Sequence, residues 1–200
     1  MQRDLDVHCT VLVPFADDED FLGPRIRQVA SHLKGLGVSF EILAIDEGSG
    51  DNSLFVLTLA HREIAELSLV GGAAPGRGFA RGAELARGSV LILIDPRVEA
   101  PLAPVAIAMR RIEDGADAVV FPGRMVIARR ARTWQILSKL RGRLPGLDAQ
   151  MSRKARRAGL HIEAPKAAGG FGREERAALH RLAARGPRAV FAMFAGVFSR

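Results

Sequence analysis

Ser89-Val-Leu-Ile-Leu-Ile-Asp95-Pro-Arg97 is the stretch on which the fold turns. Val90 to Ile94 is an unbroken apolar run with no polar alternation, the pattern of a strand covered on both faces. It ends in an aspartate and a proline. A buried parallel strand of this kind delivers its last side chain to the carboxyl edge of the sheet, where open α/β sheets bind ligands.

The flanking sequence repeats the theme. Val7 to Pro14 reads as a strand ended by proline. Pro24 to Leu36 reads as a helix with Ile26, Val29, Ala30, Leu33 and Leu36 on one face, closed by Gly35 and Gly37. Ser39 to Asp46 is a second strand, and Glu47-Gly-Ser-Gly-Asp-Asn52 a turn with Asp51, Asn52 or Ser53 available to cap the next helix, which runs to about Arg62. Glu66 to Val70 is a third strand. The Gly-rich Gly71–Gly78 then leads into a helix to about Ala86. After the Ser89–Asp95 strand, Pro101 to Asp114 is helical and Ala116 to Phe121 is a fifth strand. Strands alternating with helices predict an α/β fold with a mostly parallel central sheet and helices on both faces. Right-handed crossovers then set Pro14, Asp46 and Asp95 along one edge. Beyond Phe121 the expected elements are helices over 133–144, 149–158 and 173–185 and a short strand over 161–164.

Composition agrees with one globular domain: 200 residues, 48% hydrophobic and 26% charged. The single cysteine, Cys9, excludes a disulfide framework and suits a reducing, cytoplasmic setting. The first residues lack an apolar core. The longest apolar run, Ala189–Phe198, is about half of the roughly 20 residues a bilayer span needs. The net charge of +7 is unevenly spread. Met1–Glu66 holds 12 acidic and 5 basic residues, whereas Arg124–Arg157 holds 11 basic residues against one acid, Asp148. Such a segment suits an anionic partner: phosphate, an anionic lipid or membrane surface at the inner face, or nucleic acid. Scarce aromatics count against nucleic acid. No zinc-type His/Cys spacing, nucleophile-elbow motif or P-loop is present, so chemistry built on those motifs has no support. Trp134, on a basic helix, reads as a core residue, with stacking on a sugar or a place at a membrane interface as alternatives, and the five histidines read as structural or solvent-facing.

Four segments, in order, carry a resemblance. These are Val11-Leu-Val-Pro14-Phe-Ala-Asp17-Asp18-Glu19, Phe40-Glu-Ile-Leu-Ala-Ile-Asp46-Glu47-Gly-Ser-Gly-Asp51, Gly76-Arg77-Gly78-Phe-Ala-Arg-Gly82 and Leu91-Ile-Leu-Ile-Asp95-Pro-Arg97. Together they resemble the family 2 glycosyltransferases, which have the GT-A fold, over about residues 7–123. The resemblance implies a GT-A-like domain over 1–165, with a nucleotide-binding part at 7–123 and a shortened acceptor part at 124–165. Residues 166–200 are expected to form a helical tail, joined at Lys166–Gly170.

By the same resemblance, Pro14, Asp17, Asp46 and Glu47 face the nucleotide of a UDP- or GDP-type sugar, and Arg77 lies near its diphosphate. Asp95 matches the first aspartate of the family's Asp-x-Asp and is the candidate metal ligand for Mg or Mn. Arg97 stands where the second aspartate is usual. Arginine offers a divalent ion no oxygen, but a guanidinium can itself neutralise a diphosphate, so Arg97 is read either as a substitute for the metal or as the mark of a decayed, degenerate Asp-x-Asp site. Asp148 matches the general base of an inverting transfer to an acceptor hydroxyl, and is alternatively a helix N-cap. Two further expectations stand beside the enzyme: a catalytically inactive GT-A-fold scaffold, and a Rossmann dinucleotide domain built on Gly76, Gly78, Gly82 and Asp95.

Overall fold

The computed structural model describes residues 7–165; the expected 173–185 helix and Ala189–Phe198 lie outside them. A single seven-stranded sheet runs in the order β3-β2-β1-β4-β6-β5-β7. The strands are β1 (Cys9–Phe15), β2 (Phe40–Asp46), β3 (Leu67–Val70), β4 (Val90–Ile94), β5 (Ala118–Phe121), β6 (Met125–Arg129) and β7 (Ile162–Glu163). The first four are mutually parallel, and β6 runs antiparallel to both β4 and β5.

The helices form two layers. Strand side chains alternate between the faces: Val90, Ile92 and Ile94 enter one core, Leu91 and Leu93 the other. The first core is completed by α1 (Glu19–Leu36), α2 (Ser53–Glu63) and α4 (Val105–Glu113). The second is completed by α3 (Gly78–Leu85), α5 (Arg130–Leu137) and α6 (Leu147–Arg157). Cys9 is fully buried, and burial first, then the nearby Glu41 charge, pushes its thiol up to about 12. Among the described residues no helix is long and apolar enough to cross a membrane.

Three elements differ from the sequence expectation. Helix α1 starts five residues before Pro24, which lies inside it. Glu19 and Asp20 favour the amino-terminal turn through the helix dipole. The hydrogen bond that Pro24 cannot donate leaves the carbonyl of Asp20, a solvent-exposed residue, without its helical partner. Strand β6 was hidden because Met125-Val-Ile-Ala128 is short and flanked by arginines. A turn at Pro122–Gly123, with Gly123 at φ 70°, folds it back on β5. The helix expected over 133–144 ends instead at Leu137. Gly142, Pro145 and Gly146 break the periodicity that Leu140 and Leu144 continue. The resulting segment, residues 138–146, crosses the carboxyl edge of the sheet.

At the opposite edge, Glu113 is 4.0 Å from His8. Burial, aided by Asp114 and opposed by Arg110 and Arg129, pushes the Glu113 carboxyl up to about 7. A carboxylate raised in the folded state subtracts stability as pH climbs from its ordinary value of 4.5 towards 7. Burial lowers His8, which acts in the other direction below its ordinary 6.5. Urea denaturation is therefore expected to find Glu113→Gln more stable than wild type at pH 8 by about 1–3 kcal/mol, with the gap closing below pH 4.5.

Candidate functional site

The carboxyl ends of β1 and β2 lie in register, Phe15 beside Asp46, so the loops that follow interlock. Asp46 accepts the N–H groups of Gly48 at 3.1 Å and Ser49 at 2.8 Å and the Ser49 hydroxyl at 2.8 Å, all on Oδ1. Asp17, held at φ 54°, accepts the N–H of Gly50 at 2.7 Å and of Asp51 at 3.2 Å, also on Oδ1 alone. Each carboxylate thus spends one oxygen on its own turns. Pro14 is buried beneath them.

Beside these turns lies a charged cluster on Asp18, which is only 1% exposed. Its Oδ2 accepts the Ala16 N–H at 3.0 Å and Nη1 of Arg143 at 3.0 Å; its Oδ1 accepts Nε of Arg97. Arg97 also donates Nη2 to the Ala16 carbonyl at 2.7 Å and its backbone N–H to Asp95 Oδ1 at 3.0 Å. Arg143 donates Nε to Glu47 at 3.1 Å, and the other Glu47 oxygen accepts the Gly78 N–H at 2.6 Å. Only glycine permits that approach, since a Cβ at residue 78 would fall 2.4 Å from Pro14 and 2.7 Å from Glu47. Asp95 is 2% exposed. Burial raises its pKa and the Asp18 charge adds to the rise, while the Arg97 N–H and the Arg143 and Arg97 charges pull it down.

Three carboxylates, Asp18, Glu47 and Asp95, therefore surround two guanidiniums. One donor is left over: Nη2 of Arg143 is buried without a hydrogen-bond partner, on a side chain only 17% exposed. Arg97 remains half exposed. This donor set does not fit a divalent ion. The oxygens of Asp18 and Glu47 are already held by arginine and backbone N–H groups, Oδ1 of Asp95 takes the Arg97 N–H, and two fixed positive charges sit among them. Among the described residues no group of three or more His, Cys, Asp or Glu side chains is arranged to hold a metal.

Arg143 and Asp18 were not singled out in the sequence. Arg143 is one of many arginines, although a charge inside a Gly/Pro-rich turn is a usable signal. Asp18 sits in a run of four acids, and only tertiary packing shows that it alone is fully buried. Arg77 and Asp148 stand outside the cluster. The Arg77 guanidinium donates to the carbonyls of Leu140 at 3.0 Å and Ser138 at 2.8 Å, and the Gly142 N–H reaches the Gly76 carbonyl at 2.8 Å. These bonds strap the 138–146 segment over the strand ends.

Asp148 lies in the first turn of α6, with Gly146 as the N-cap residue in its place. It accepts the N–H of Gly123 at 2.7 Å and of Gly146 at 2.8 Å. Burial would raise its pKa, but these and neighbouring backbone donors outweigh it and hold the carboxyl below its ordinary value. The Asp18 cluster carries the local fold. Asp18→Ala is expected to cost about 3 kcal/mol in urea denaturation, because it strands a largely buried Arg143.

The sheet order, the two helical layers and the acid-lined carboxyl edge define a GT-A-like glycosyltransferase fold. No protein-family model matches the chain. Among solved structures, it is similar to the mannosyltransferase PcManGT from Pyrobaculum calidifontis in complex with GDP-Man and Mn2+ (TM-score 0.65, 15% identity, 82% of this chain and 56% of that one). It is similar to S. aureus TarS 1–349 (TM-score 0.62, 14% identity, 79% of this chain and 58% of that one). It also matches glucosyl-3-phosphoglycerate synthase from Mycobacterium tuberculosis in complex with Mn2+, UDP and phosphoglyceric acid (TM-score 0.58, 14% identity, 79% and 68%). The chain spans little more than half the length of the first two.

Proposed function

We propose that the chain is a divergent family 2 glycosyltransferase domain that binds a nucleoside diphosphate sugar with arginine in place of a metal ion. The observation that carries this is the unpartnered, buried Nη2 of Arg143 beside the half-exposed Arg97, at the carboxyl ends of parallel strands. A diphosphate oxygen satisfies that donor and shares the charge of both guanidiniums. The second oxygens of Asp17 and Asp46 suit a base N–H, which uracil and guanine present. The solved structures of similar fold include complexes with GDP-Man and with UDP.

In the transfer reaction, Asp148 takes the proton of an acceptor hydroxyl and that oxygen attacks the anomeric carbon from the face opposite the leaving group. The bond to the diphosphate breaks, and the nucleoside diphosphate departs with its new charge against Arg97 and Arg143. A second reading, binding without transfer, is favoured by two features. Asp148 is a weakened base, held by backbone N–H groups, and the 124–165 acceptor part is short.

Calorimetry with UDP and GDP is expected to show binding that survives EDTA and that weakens at least about tenfold in Arg97→Ala. Binding that appears only with Mn2+, or none at all, refutes the arginine-substituted site. Turnover of radiolabelled UDP- and GDP-sugars separates the two readings: Asp148→Asn is expected to reduce transfer roughly a hundredfold or more if Asp148 is the base. Wild-type binding without any turnover supports binding without transfer, and no binding under any condition supports the scaffold.

A further inference from the structure

The outer surface of the α5–α6 layer has no use in the site just described. Both helices turn one side to the sheet, through Thr133 and Leu137 and through Leu147, Met151 and Ala155, so their exposed residues share the far side of that layer. Arg153, Lys154, Arg156 and Arg157 are exposed there, with Arg132 paired to Asp117, and Lys139 and Arg141 are exposed on the adjoining 138–146 segment. The one acid in this stretch, Asp148, is buried and held by backbone N–H groups. No ion pair engages the other six cations among the described residues.

Trp134, expected in the core, is 42% exposed on α5, and Leu85 on neighbouring α3 is 41% exposed. The helices of the opposite layer carry mixed charge, including Glu19, Asp20, Glu63 and Glu113, so the molecule has one cationic side.

We propose that the α5–α6 face is a docking surface for an anionic phospholipid bilayer, with Trp134 entering the headgroup region. A dense field of one sign attracts a negatively charged leaflet, and tryptophan partitions to the membrane interface. A nucleic-acid surface of equal charge would lack stacking aromatics beyond this one. The proposal is independent of nucleotide binding.

The chain provides its own probe, because Trp134 is its only tryptophan and it has no tyrosine. The 200-residue chain is titrated with vesicles of phosphatidylcholine alone and with about one third phosphatidylglycerol, reading Trp134 emission and co-sedimentation. A blue shift and pelleting with the anionic vesicles only, reversed by salt, are expected. Arg153→Glu with Arg157→Glu is expected to weaken binding at least about tenfold while circular dichroism and melting stay unchanged. Equal binding to neutral vesicles, an unmoved Trp134 spectrum, unaltered binding of the double variant, or capture by RNA with none by vesicles overturns the proposal.

Discussion

The buried carboxylate of Asp18 is the contact on which the carboxyl edge of this protein depends. It sits between the end of β1 and the start of α1, out of water, and a charge there is tolerated only because it is fully paired. One oxygen meets Arg97 from the loop after β4; the other meets Arg143 from the segment before α6. Three parts of the chain distant in sequence are thereby fixed to one point. The same contact explains how arginine is accommodated after Asp95: its charge is absorbed by an acid that would otherwise be free for an ion.

The sheet edge and the second helical layer are coupled through short links. Gly78 donates to Glu47, Glu47 accepts from Arg143, and Arg77, next in sequence to Gly78, holds the carbonyls at the end of α5. The start of α3 is thus tied both to the strand ends and to the 138–146 segment. Asp148 is positioned separately, through the Gly123 turn that reverses β5 into β6. The Asp18 cluster and Asp148 are therefore oriented by different strand connections.

The first four strands and the helices between them were legible because each is long or strongly patterned and ends in a proline, glycine or acid. The continuous Val90–Ile94 run correctly implied burial on both faces. Strand β6 was not legible, since four apolar residues between arginines carry no period, and its partner choice is decided by a turn. Of the site, Asp46, Glu47 and Asp95 were visible as strand ends, and Arg97 by the resemblance. The pairing of Arg143 with Asp18, 125 residues apart, leaves no local trace. Trp134 was misplaced because one large apolar residue on a helix is ordinarily buried, and here Thr133 takes the inward position.

The strap that carries Arg143 is anchored at both ends, by Arg77 at its start and by the Asp148 turn just past its close. Its length is consequently a dimension of the site. Adding or deleting a residue between Ser138 and Gly146 moves a guanidinium by roughly the 3.8 Å between successive Cα atoms, more than a hydrogen bond can absorb. The run 71–75 touches the site only through the Ala73 N–H on the Asp46 carbonyl, at 3.2 Å, and carries no side chain of the cluster, so its length is less constrained. Sequence drift in this fold should therefore accumulate as length changes in one connection and as substitutions alone in the other.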